Sequence, residues 1–558
     1  MKKITLFLIG VLQCVNIFAQ APQWAWAEGA GGTNDDRAYS VVVDASGNAI
    51  VAGSFRSATI TFGSTTLTNA NNNGSFSDFF LAKYDASGNV IWAKSNGDVL
   101  DEVVRSVDVD NAGNIYIAGY FGSATLTLGS ITLTNSSANY YDVFFAKYDS
   151  NGNIIWAKSA TGTNGDLAQS VAIDASGHIY LAGNFNSPTL SFGSTVLTNN
   201  DNTGNTTNFF LAKFDNNGNI LWAKSGGGST GPSSGGPFSV ALDANGHAYL
   251  AGEFSIQSIV LGTTTLTNAS VGTRDIFLEK FDTNGNVLWA KSAGGNSQDL
   301  ANSLAVDASG NIFMAGNFYS TTITFGTSTF TNAGSDDVFL TKYDNNGNVI
   351  WARNAGGPGD DWATSVALDV NGNPYLAGYF PSPTITFGSS TLTNINVAYP
   401  DIFVVKYTTN GNVTWAKSAG GMNEEYANSI AINANHEAIV TGAFWSSPIN
   451  FDSYSLTKVG SYDVFVAKLN SIVGIDERSN NVSFTIAPNP FTSETTITFS
   501  EDEPHSLKLT DLLGKDLKTW HFTGKELKLE RGNLKSGIYF LQITDEKNKV
   551  TNKKIVIE

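Results

Sequence analysis

A tryptophan recurs seven times along this 558-residue chain, at intervals of 62 to 67 residues. Each copy closes the same phrase, as in AKYDASGNVIWAKS (82–95). The seven are Trp26, Trp92, Trp156, Trp222, Trp289, Trp351 and Trp415. Self-similarity at a fixed period indicates an array of similar units, each of which buries its apolar face against its neighbours. The repeats therefore predict seven β-units before any other residue is interpreted.

One unit contains two pairs of β-rich runs, and the runs of each pair are joined by an Asp-x-x-Gly-Asn turn. The Asp side chain caps such a turn, and the Gly accepts a positive φ. A shorter segment of the type TFGxxTLTN lies between the pairs and predicts a third hairpin or an edge extension. No stripe of 3.6-residue period appears in residues 21–470, so we expect no helices there.

The two ends of the array predict how it closes. The seventh unit stops at residues 463–470 without its Trp strand, and the missing strand, QWAWAEGAGG (23–32), stands at the N-terminus. Circular closure would let this strand complete the last unit and remove both free sheet edges. A straight solenoid is the rival, but its coils are usually shorter. We therefore predict an all-β fold, a seven-bladed β-propeller whose N-terminal strand closes the last blade, with the recurring Trp packed between blades.

The repeated phrase also carries a family resemblance. The pattern D-x-F-x-x-K-Y-D-x-x-G-N-x-x-W, followed by A-V-D-x-x-G-N-x-Y-x-A-G, resembles the bacterial SBBP β-propeller repeat over residues 23–470. Its D-x-x-G-x-x-x-W part is also similar to the tryptophan-docking motif of quinoprotein dehydrogenases, one residue shorter between Asp and Gly. The SBBP resemblance marks the fold and implies little about activity.

The N-terminus reads as a signal peptide. Residues 1–20 carry Lys2 and Lys3, an apolar run and a small-residue cleavage site, as secretory signals do. That run is too short to span a bilayer, and no later segment is long enough. The only cysteine, Cys14, lies within this signal, so the mature chain has no thiol chemistry.

The C-terminus differs in composition from the repeats. We expect the propeller to occupy residues 21–470, a linker residues 471–483 and a small β-sandwich residues 484–558. The phrases APNPF, LTDLLGK, LKSGIYFLQI and KKIVIE resemble the type A C-terminal sorting domain of the type IX secretion system. The resemblance implies passage through the periplasm, interaction with the secretion machinery, and release or anchoring at the cell surface.

The charge argues against nucleic acid as a partner. The chain carries a formal charge of −17, and residues 21–483 hold 38 acidic against 19 basic side chains. Nucleic-acid binding is driven by clusters of Lys and Arg. An acidic body of this size suits a soluble exported protein.

The sequence is poor in catalytic motifs. It contains no HExxH, Cys cluster or P-loop. One GxSxG occurs at Gly231–Gly235, but a nucleophile elbow needs a following helix and this segment is a Gly/Pro/Ser loop. We therefore name no catalytic residue, no metal ligand and no cofactor.

One constellation of acidic residues is a candidate site. A carboxylate stands four residues before a Ser in six units, and cyclic repetition would bring the six to one mouth of the propeller. The six are Asp36, Glu102, Asp166, Asp299, Asp361 and Glu425. They could hold a cation such as calcium through oxygen ligands. The favoured interpretation is structural: each pairs with a Lys of its blade or caps backbone amides.

The fourth unit departs from this pattern, because Gly235 replaces the carboxylate within an uncharged insertion (226–238). Binding sites on repeat scaffolds tend to lie where loops depart from the repeat, so a ligand, if one exists, is expected beside this loop. The favoured interpretation is that a flexible, linker-like stretch is simply tolerated there. For function, the sequence favours an exported, non-catalytic binding, adhesion or structural module with a glycan or protein ligand. An extracellular polysaccharide-active enzyme, or a quinoprotein-like oxidoreductase, stays open as the alternative.

Overall fold

The computed structural model describes residues 22–137, 140–200, 206–227, 237–471, 484–499, 502–511, 516–545 and 550–558. The chain divides into two compact units, Met1–Ser471 and Ile472–Glu558. The predicted signal peptide, most of the predicted linker and the Gly231–Gly235 loop lie outside the described residues. Every regular element described is a β-strand.

Seven four-stranded antiparallel sheets build the first unit, and each is one blade. The innermost strands are β2 (Asp36–Val43), β8 (Glu102–Val109), β14 (Asp166–Ile173), β20 (Pro237–Leu242), β26 (Asp299–Val306), β32 (Trp362–Leu368) and β38 (Glu425–Ile432). The second strands are β3 (Ala49–Phe55), β9 (Ile115–Phe121), β15 (Ile179–Phe185), β21 (Ala248–Phe254), β27 (Ile312–Phe318), β33 (Pro374–Phe380) and β39 (Ala438–Phe444).

The outer half of each blade carries the Lys and Trp positions of the repeat. The third strands are β6 (Asp78–Tyr84), β12 (Asp142–Tyr148), β18 (Asn208–Phe214), β24 (Asp275–Phe281), β30 (Asp337–Tyr343), β36 (Asp401–Tyr407) and β42 (Asp463–Leu469). The outermost strands are β7 (Val90–Asn96), β13 (Ile154–Ala160), β19 (Ile220–Gly226), β25 (Val287–Ala293), β31 (Val349–Ala355), β37 (Val413–Ala419) and, from the N-terminus, β1 (Trp24–Ala30).

The segment between the second and third strands forms a separate two-stranded hairpin in every blade. The hairpins are β4–β5 (Thr59–Phe62, Thr65–Thr68), β10–β11 (Thr125–Leu128, Ile131–Thr134), β16–β17 (Thr189–Phe192, Thr195–Thr198), β22–β23 (Ser258–Leu261, Thr264–Thr267), β28–β29 (Thr322–Phe325, Ser328–Thr331), β34–β35 (Thr384–Phe387, Ser390–Thr393) and β40–β41 (Ile449–Phe451, Tyr454–Leu456).

A ring of serine hydrogen bonds joins the innermost strands. The backbone N–H of Val41 in β2 donates to Ser429 Oγ in β38 at 3.1 Å, although the two residues lie 388 positions apart. Six equivalent bonds of 3.0–3.2 Å join the other neighbouring pairs. The accepting serines are Ser40, Ser106, Ser170, Ser239, Ser303, Ser365 and Ser429. The first and last blades are therefore neighbours in a closed ring.

The N-terminal strand completes the last blade. β1 pairs antiparallel with β42, with Trp26 opposite Lys468, and Trp24 and Trp26 are both buried. The predicted all-β propeller closed by its N-terminal strand is thus confirmed. Its hydrophobic cores lie between adjacent blades; one of them combines Phe209 and Leu211 of the third blade with Phe277 and Phe281 of the fourth.

The second unit is a small sandwich of two sheets. The sheet orders are β43-β44-β47 and β46-β45-β48-β49. The strands are β43 (Phe484–Ala487), β44 (Glu494–Phe499), β45 (Pro504–Thr510), β46 (Asp516–Thr523), β47 (Glu526–Glu530), β48 (Gly537–Asp545) and β49 (Val550–Ile557). Ile497 and Leu529 of one sheet share a buried core with Leu507, Leu541 and Ile555 of the other.

Candidate functional site

The six carboxylates of the predicted acidic ring are completely buried. Each reaches the chain just after the second strand of its own blade: Asp166 Oδ2 accepts from the Ser187 hydroxyl at 2.7 Å, and its Oδ1 accepts from the Ser187 backbone N–H at 3.1 Å. The equivalent partner serines are Ser57, Ser123, Ser320, Ser382 and Ser446. These carboxylates therefore act within their own blades as caps for hydroxyl and backbone donors.

Burial dominates the electrostatics of these carboxylates. Loss of solvent raises the pKa of Asp166 to about 7, against the lowering effect of the Ser187 hydrogen bonds. The same cause raises the pKa of Glu425 to about 8 and that of Glu102 to about 7. Among the described residues, no cluster of three or more His, Cys, Asp or Glu side chains is arranged to hold a metal ion.

The repeated lysines bind elsewhere, at the turn between the first and second strands. Lys83 Nζ lies 2.8 Å from Asp44 Oδ2, and Asp44 Oδ1 caps the backbone N–H groups of Ser46 and Asn48. Equivalent ion pairs of 3.2–3.9 Å link Lys147, Lys213, Lys280, Lys342, Lys406 and Lys468 to the acidic residue of their own blade's turn. The turn end of every blade thus carries a repeated ion pair.

Six of the seven recurring Trp residues donate a hydrogen bond to the neighbouring blade. Trp26 Nε1 donates to the carbonyl of Ala86, in a turn of the first blade, at 3.1 Å. A Cβ on Gly88 of that turn would lie 2.8 Å from the Trp26 ring, so only glycine allows this approach. Five more repeat Trp residues, Trp92, Trp156, Trp222, Trp289 and Trp351, make the equivalent bond.

A β-bulge interrupts the innermost strand of every blade at the same place. In β2, Ala38 pairs with Gly53 and Ser40 pairs with Ala52, so Tyr39 between them has no partner residue. The bulge residues are Tyr39, Arg105, Gln169, Phe238, Asn302, Thr364 and Asn428. Bulges redirect a side chain out of the sheet pattern and are common beside functional sites. The seven repeats differ in chemistry at this position, which carries Tyr, Arg, Gln, Phe, Asn or Thr.

Six of these bulge side chains line one cavity of about 420 Å³, which we call the bulge mouth. Its other lining residues are Arg37, Trp362, Tyr379 and Tyr426. None of the described lining residues is Asp, Glu or His. The bulge mouth therefore presents guanidinium, amide, hydroxyl and aromatic groups in a protein that is acidic overall.

Half of the bulge mouth is committed to holding the ring together. Asn302 Nδ2 donates to the Ala363 carbonyl, Thr364 Oγ1 to the Ala427 carbonyl, and Asn428 Nδ2 to the Ala38 carbonyl, at 2.6–2.8 Å. Each bond crosses to the next blade. The bulge residues of the fifth, sixth and seventh blades are therefore structural.

The opposite half carries the cations. The Arg105 guanidinium lies 4.7 Å from the Tyr39 ring centroid, and its Nε is buried without a hydrogen-bond partner among the described residues. Arg37 stacks on Tyr462 at 4.0 Å. Stacking on an aromatic ring orients a guanidinium while leaving N–H donors for a ligand.

Aromatic rings form the wall beside Arg37. Trp362 and Tyr379 lie nearly parallel, with an interplanar angle of 16° and centroids 6.0 Å apart, and Tyr426 meets Tyr379 edge-on at 4.8 Å. Polar partners hold the wall in place: Trp362 Nε1 donates to Asp336 Oδ2 at 3.0 Å and Tyr426 donates to Glu424 Oε2 at 3.0 Å.

The sequence interpretation missed the bulge mouth. That interpretation rested on positions that repeat, and the bulge residues lie at a position that varies from blade to blade. Aligning the seven units on Trp and Ser would have exposed one variable column in front of a constant Ser. The loop of the fourth blade, named as the first place to look for a ligand if one exists, lies mostly outside the described residues.

The C-terminal unit can be assigned by comparison with known families. Residues 485–558 match the family model of the secretion system C-terminal sorting domain. This confirms the predicted type IX sorting domain. The protein is therefore secreted or attached to the outer-membrane surface. Within the described residues, no helix is long and apolar enough to cross a membrane.

The comparisons with individual proteins are looser. The chain is 24% identical over 532 residues to an uncharacterized WD repeat-containing protein of Acanthamoeba polyphaga mimivirus, covering 80% of this chain and 38% of the relative. It is 26% identical over 113 residues to an endo-acting ulvan lyase of Formosa agariphila, covering 20% of each. The chain thus spans less than two thirds of either relative.

Among solved structures, one similar chain is PorZ, a bacterial surface component of the type IX secretion system of Porphyromonas gingivalis. It aligns over 93% of this chain and 81% of its own at 11% identity, with a TM-score of 0.23.

Proposed function

We propose that this exported propeller is a non-catalytic binding module whose ligand is an acidic saccharide held at the bulge mouth. The observation that carries the proposal is the pair of arginines, Arg37 and Arg105, in a mouth without a lining carboxylate. Guanidinium groups bind carboxylates and sulfates by charge-assisted hydrogen bonds. The flat faces of Trp362 and Tyr379 suit the apolar faces of sugar rings.

The rest of the chain is consistent with this role. We propose that residues 1–20 are removed as a signal peptide, that the propeller spans residues 21–470 with SBBP-type repeats, and that residues 471–483 link it to the sorting domain of residues 484–558. Delivery outside the cell would bring the bulge mouth to extracellular or cell-surface polysaccharides. Hydrolysis of a glycosidic bond would call for a pair of carboxyl groups flanking that bond, and the described lining of the bulge mouth supplies none.

The test is calorimetric titration of the mature protein with oligogalacturonate and with neutral dextran oligomers of the same length. We expect binding of the acidic oligomer only. Arg105→Ala and Arg37→Ala should each weaken it at least tenfold, since a hydrogen bond to a charged group contributes about 1.5–3 kcal/mol. Arg353→Ala is the matched control, because Arg353 lies on an outermost strand and bonds to the Gly411 carbonyl.

Two results would count against the proposal. Equal binding of the neutral oligomer would remove the role of the arginines. New reducing ends that appear during incubation with the oligomers would show that the protein is a polysaccharide-active enzyme and not a non-catalytic binding module.

A further inference from the structure

The fourth blade carries a buried glutamate where the other blades carry an apolar or small residue. Glu279 lies in the middle of the third strand, and the equivalent residues are Ala82, Ala146, Ala212, Thr341, Val405 and Ala467. Phe277 and Phe281, two positions away on either side in β24, belong to the core between the third and fourth blades. Because side chains alternate along a strand, Glu279 points toward that core.

A pocket of about 300 Å³ opens above Glu279 between the two blades. The exposed residues Lys224, Ser225 and Val260 form its rim, and Val260 is 62% exposed. Its apolar walls are Phe209, Leu211, Leu261, Phe281 and Val287. Glu279 is 1% exposed and lies at the floor. The pocket therefore leads from solvent past apolar walls to one carboxyl group.

The next blade junction shows what the ordinary version of this groove looks like. There Lys291, Ser292 and Ala293 replace Lys224, Ser225 and Gly226, and Phe325 replaces Leu261. That groove does not reach the residue equivalent to Glu279, which is Thr341. A Cβ on Gly226 would lie 2.3 Å from the Phe209 ring, so glycine is required for Phe209 to sit where it does. Gly226, which is Ala or Asn in the other blades, therefore occurs at the same junction as Glu279.

Glu279 lacks a partner of its own. Its Oε2 is buried without a hydrogen bond, and the described residues supply no ion pair to this carboxyl group. Loss of solvent raises the pKa of Glu279 to about 8. The other buried glutamate of this blade, Glu253, is paired with Arg274 at 2.9 Å. A buried carboxyl group without a partner destabilises a fold, so its presence at the floor of an open pocket calls for a ligand.

We infer that this pocket binds an organic cation: a primary ammonium group that reaches Glu279, on an apolar body that fills the space between Phe209, Leu261 and Phe281. The ammonium supplies the hydrogen-bond donor that Glu279 lacks, and the Glu279 carboxylate supplies the counter-charge for the ammonium. The site is separate from the bulge mouth and does not depend on the saccharide proposal. The same chemistry is offered by a free arylalkyl amine and by a lysine side chain of a partner protein.

Phenethylammonium is the direct probe, titrated calorimetrically into the mature protein at pH 8. We expect saturable binding that 2-phenylethanol, its neutral analogue, does not reproduce. Glu279→Gln should weaken binding at least tenfold. Glu279→Ala should abolish it and reproduces the residue present at Ala146 in the second blade. Both variants should fold, because each removes an unpartnered buried carboxyl group.

Glu253→Gln is the control, since it alters a buried glutamate of the same blade outside the pocket lining. The affinity of this variant for phenethylammonium should stay within twofold of that of the wild type. Equal affinity for 2-phenylethanol, or unchanged binding in Glu279→Gln, would overturn the proposal. A second titration, with the peptide Gly-Lys-Gly, identifies the source of the ammonium. If the peptide binds and Nε-acetylation of its lysine abolishes binding, the ligand is a lysine of a partner protein. If only phenethylammonium binds, the ligand is a free amine.

Discussion

The two mouths of the propeller channel are built on opposite principles. The bulge mouth holds about 420 Å³ and is lined by residues that differ from blade to blade. At the other end, a cavity of about 450 Å³, which we call the turn mouth, is lined by Asp44, Gly47, Asp110 and other residues of the repeated turns. Two openings of similar size thus differ in their lining: the residues of the turn mouth recur from blade to blade, and those of the bulge mouth do not. The uniform positions of the turn mouth are structural. At the bulge mouth the variable positions divide: Asn302, Thr364 and Asn428 bond to the next blade, and Arg105 and Gln169 are left to serve a ligand.

Removing β1 should have the largest effect, because both mouths depend on the closed ring. Deleting residues 22–32 takes away the buried Trp24 and Trp26, and each such loss costs about 3–5 kcal/mol. We expect aggregation or a large fall in melting temperature by differential scanning calorimetry. Trp26→Phe is the milder control. A deletion variant that melts like wild type would contradict closure by β1.

At the turn mouth, Lys83→Ala should cost about 3 kcal/mol, because it leaves Asp44 buried without its cation. The side chains of this ion pair are each 7% exposed. Urea unfolding measures the loss, and Lys158→Ala, which changes an exposed lysine, is the control. Saccharide binding at the bulge mouth should survive Lys83→Ala. If Lys83→Ala lost saccharide binding but kept its stability, the turn mouth would take part in binding, contrary to the proposal.

The buried carboxylates should make the ring more stable in mild acid than in mild base. Their folded pKa values near 7 exceed the ordinary value of 3.8 for Asp, so the folded state holds more protons than the unfolded state between those limits. Stability therefore falls as pH rises from about 4 to about 7, by on the order of 1–3 kcal/mol for each carboxylate.

Melting temperatures at pH 5 and pH 8 test this expectation. Asp166→Asn removes one titrating group and should narrow the difference between the two temperatures. Asp149→Asn is the control, because hydrogen bonds with Asn153 lower the pKa of that partly exposed carboxylate. A melting temperature that rises toward pH 8 would refute the assignment.

The smallest effect is expected at a bulge residue. Gln169→Ala, in the bulge mouth, should change the free energy of unfolding by less than about 0.5 kcal/mol. The free energies of unfolding of Gln169→Ala and Lys83→Ala, measured in parallel by urea unfolding, give the direct comparison. A cost as large as that of Lys83→Ala would mean that the bulge mouth is structural throughout.

The sequence predicts the architecture because the architecture repeats. Seven Trp phrases and a displaced strand at residues 23–32 are enough to infer the ring and its closure. The bulge could not be predicted in the same way, since it is a one-residue shift in strand pairing between Ala38 and Ser40, and the sequence repeat does not show how the strands pair. Glu279 shows a different limit: the residue is visible in the sequence, but its missing partner is a property of the packed interface between blades.

The serine ring also constrains the order of events during folding. The Val41 amide and the Ser429 hydroxyl meet only after nearly the whole propeller has been synthesised. Blades one to six can assemble from local contacts, whereas this bond carries the loop-closure entropy of a very long segment. The Val41 amide proton therefore reports ring closure: it becomes protected from hydrogen exchange only when the first and last blades meet.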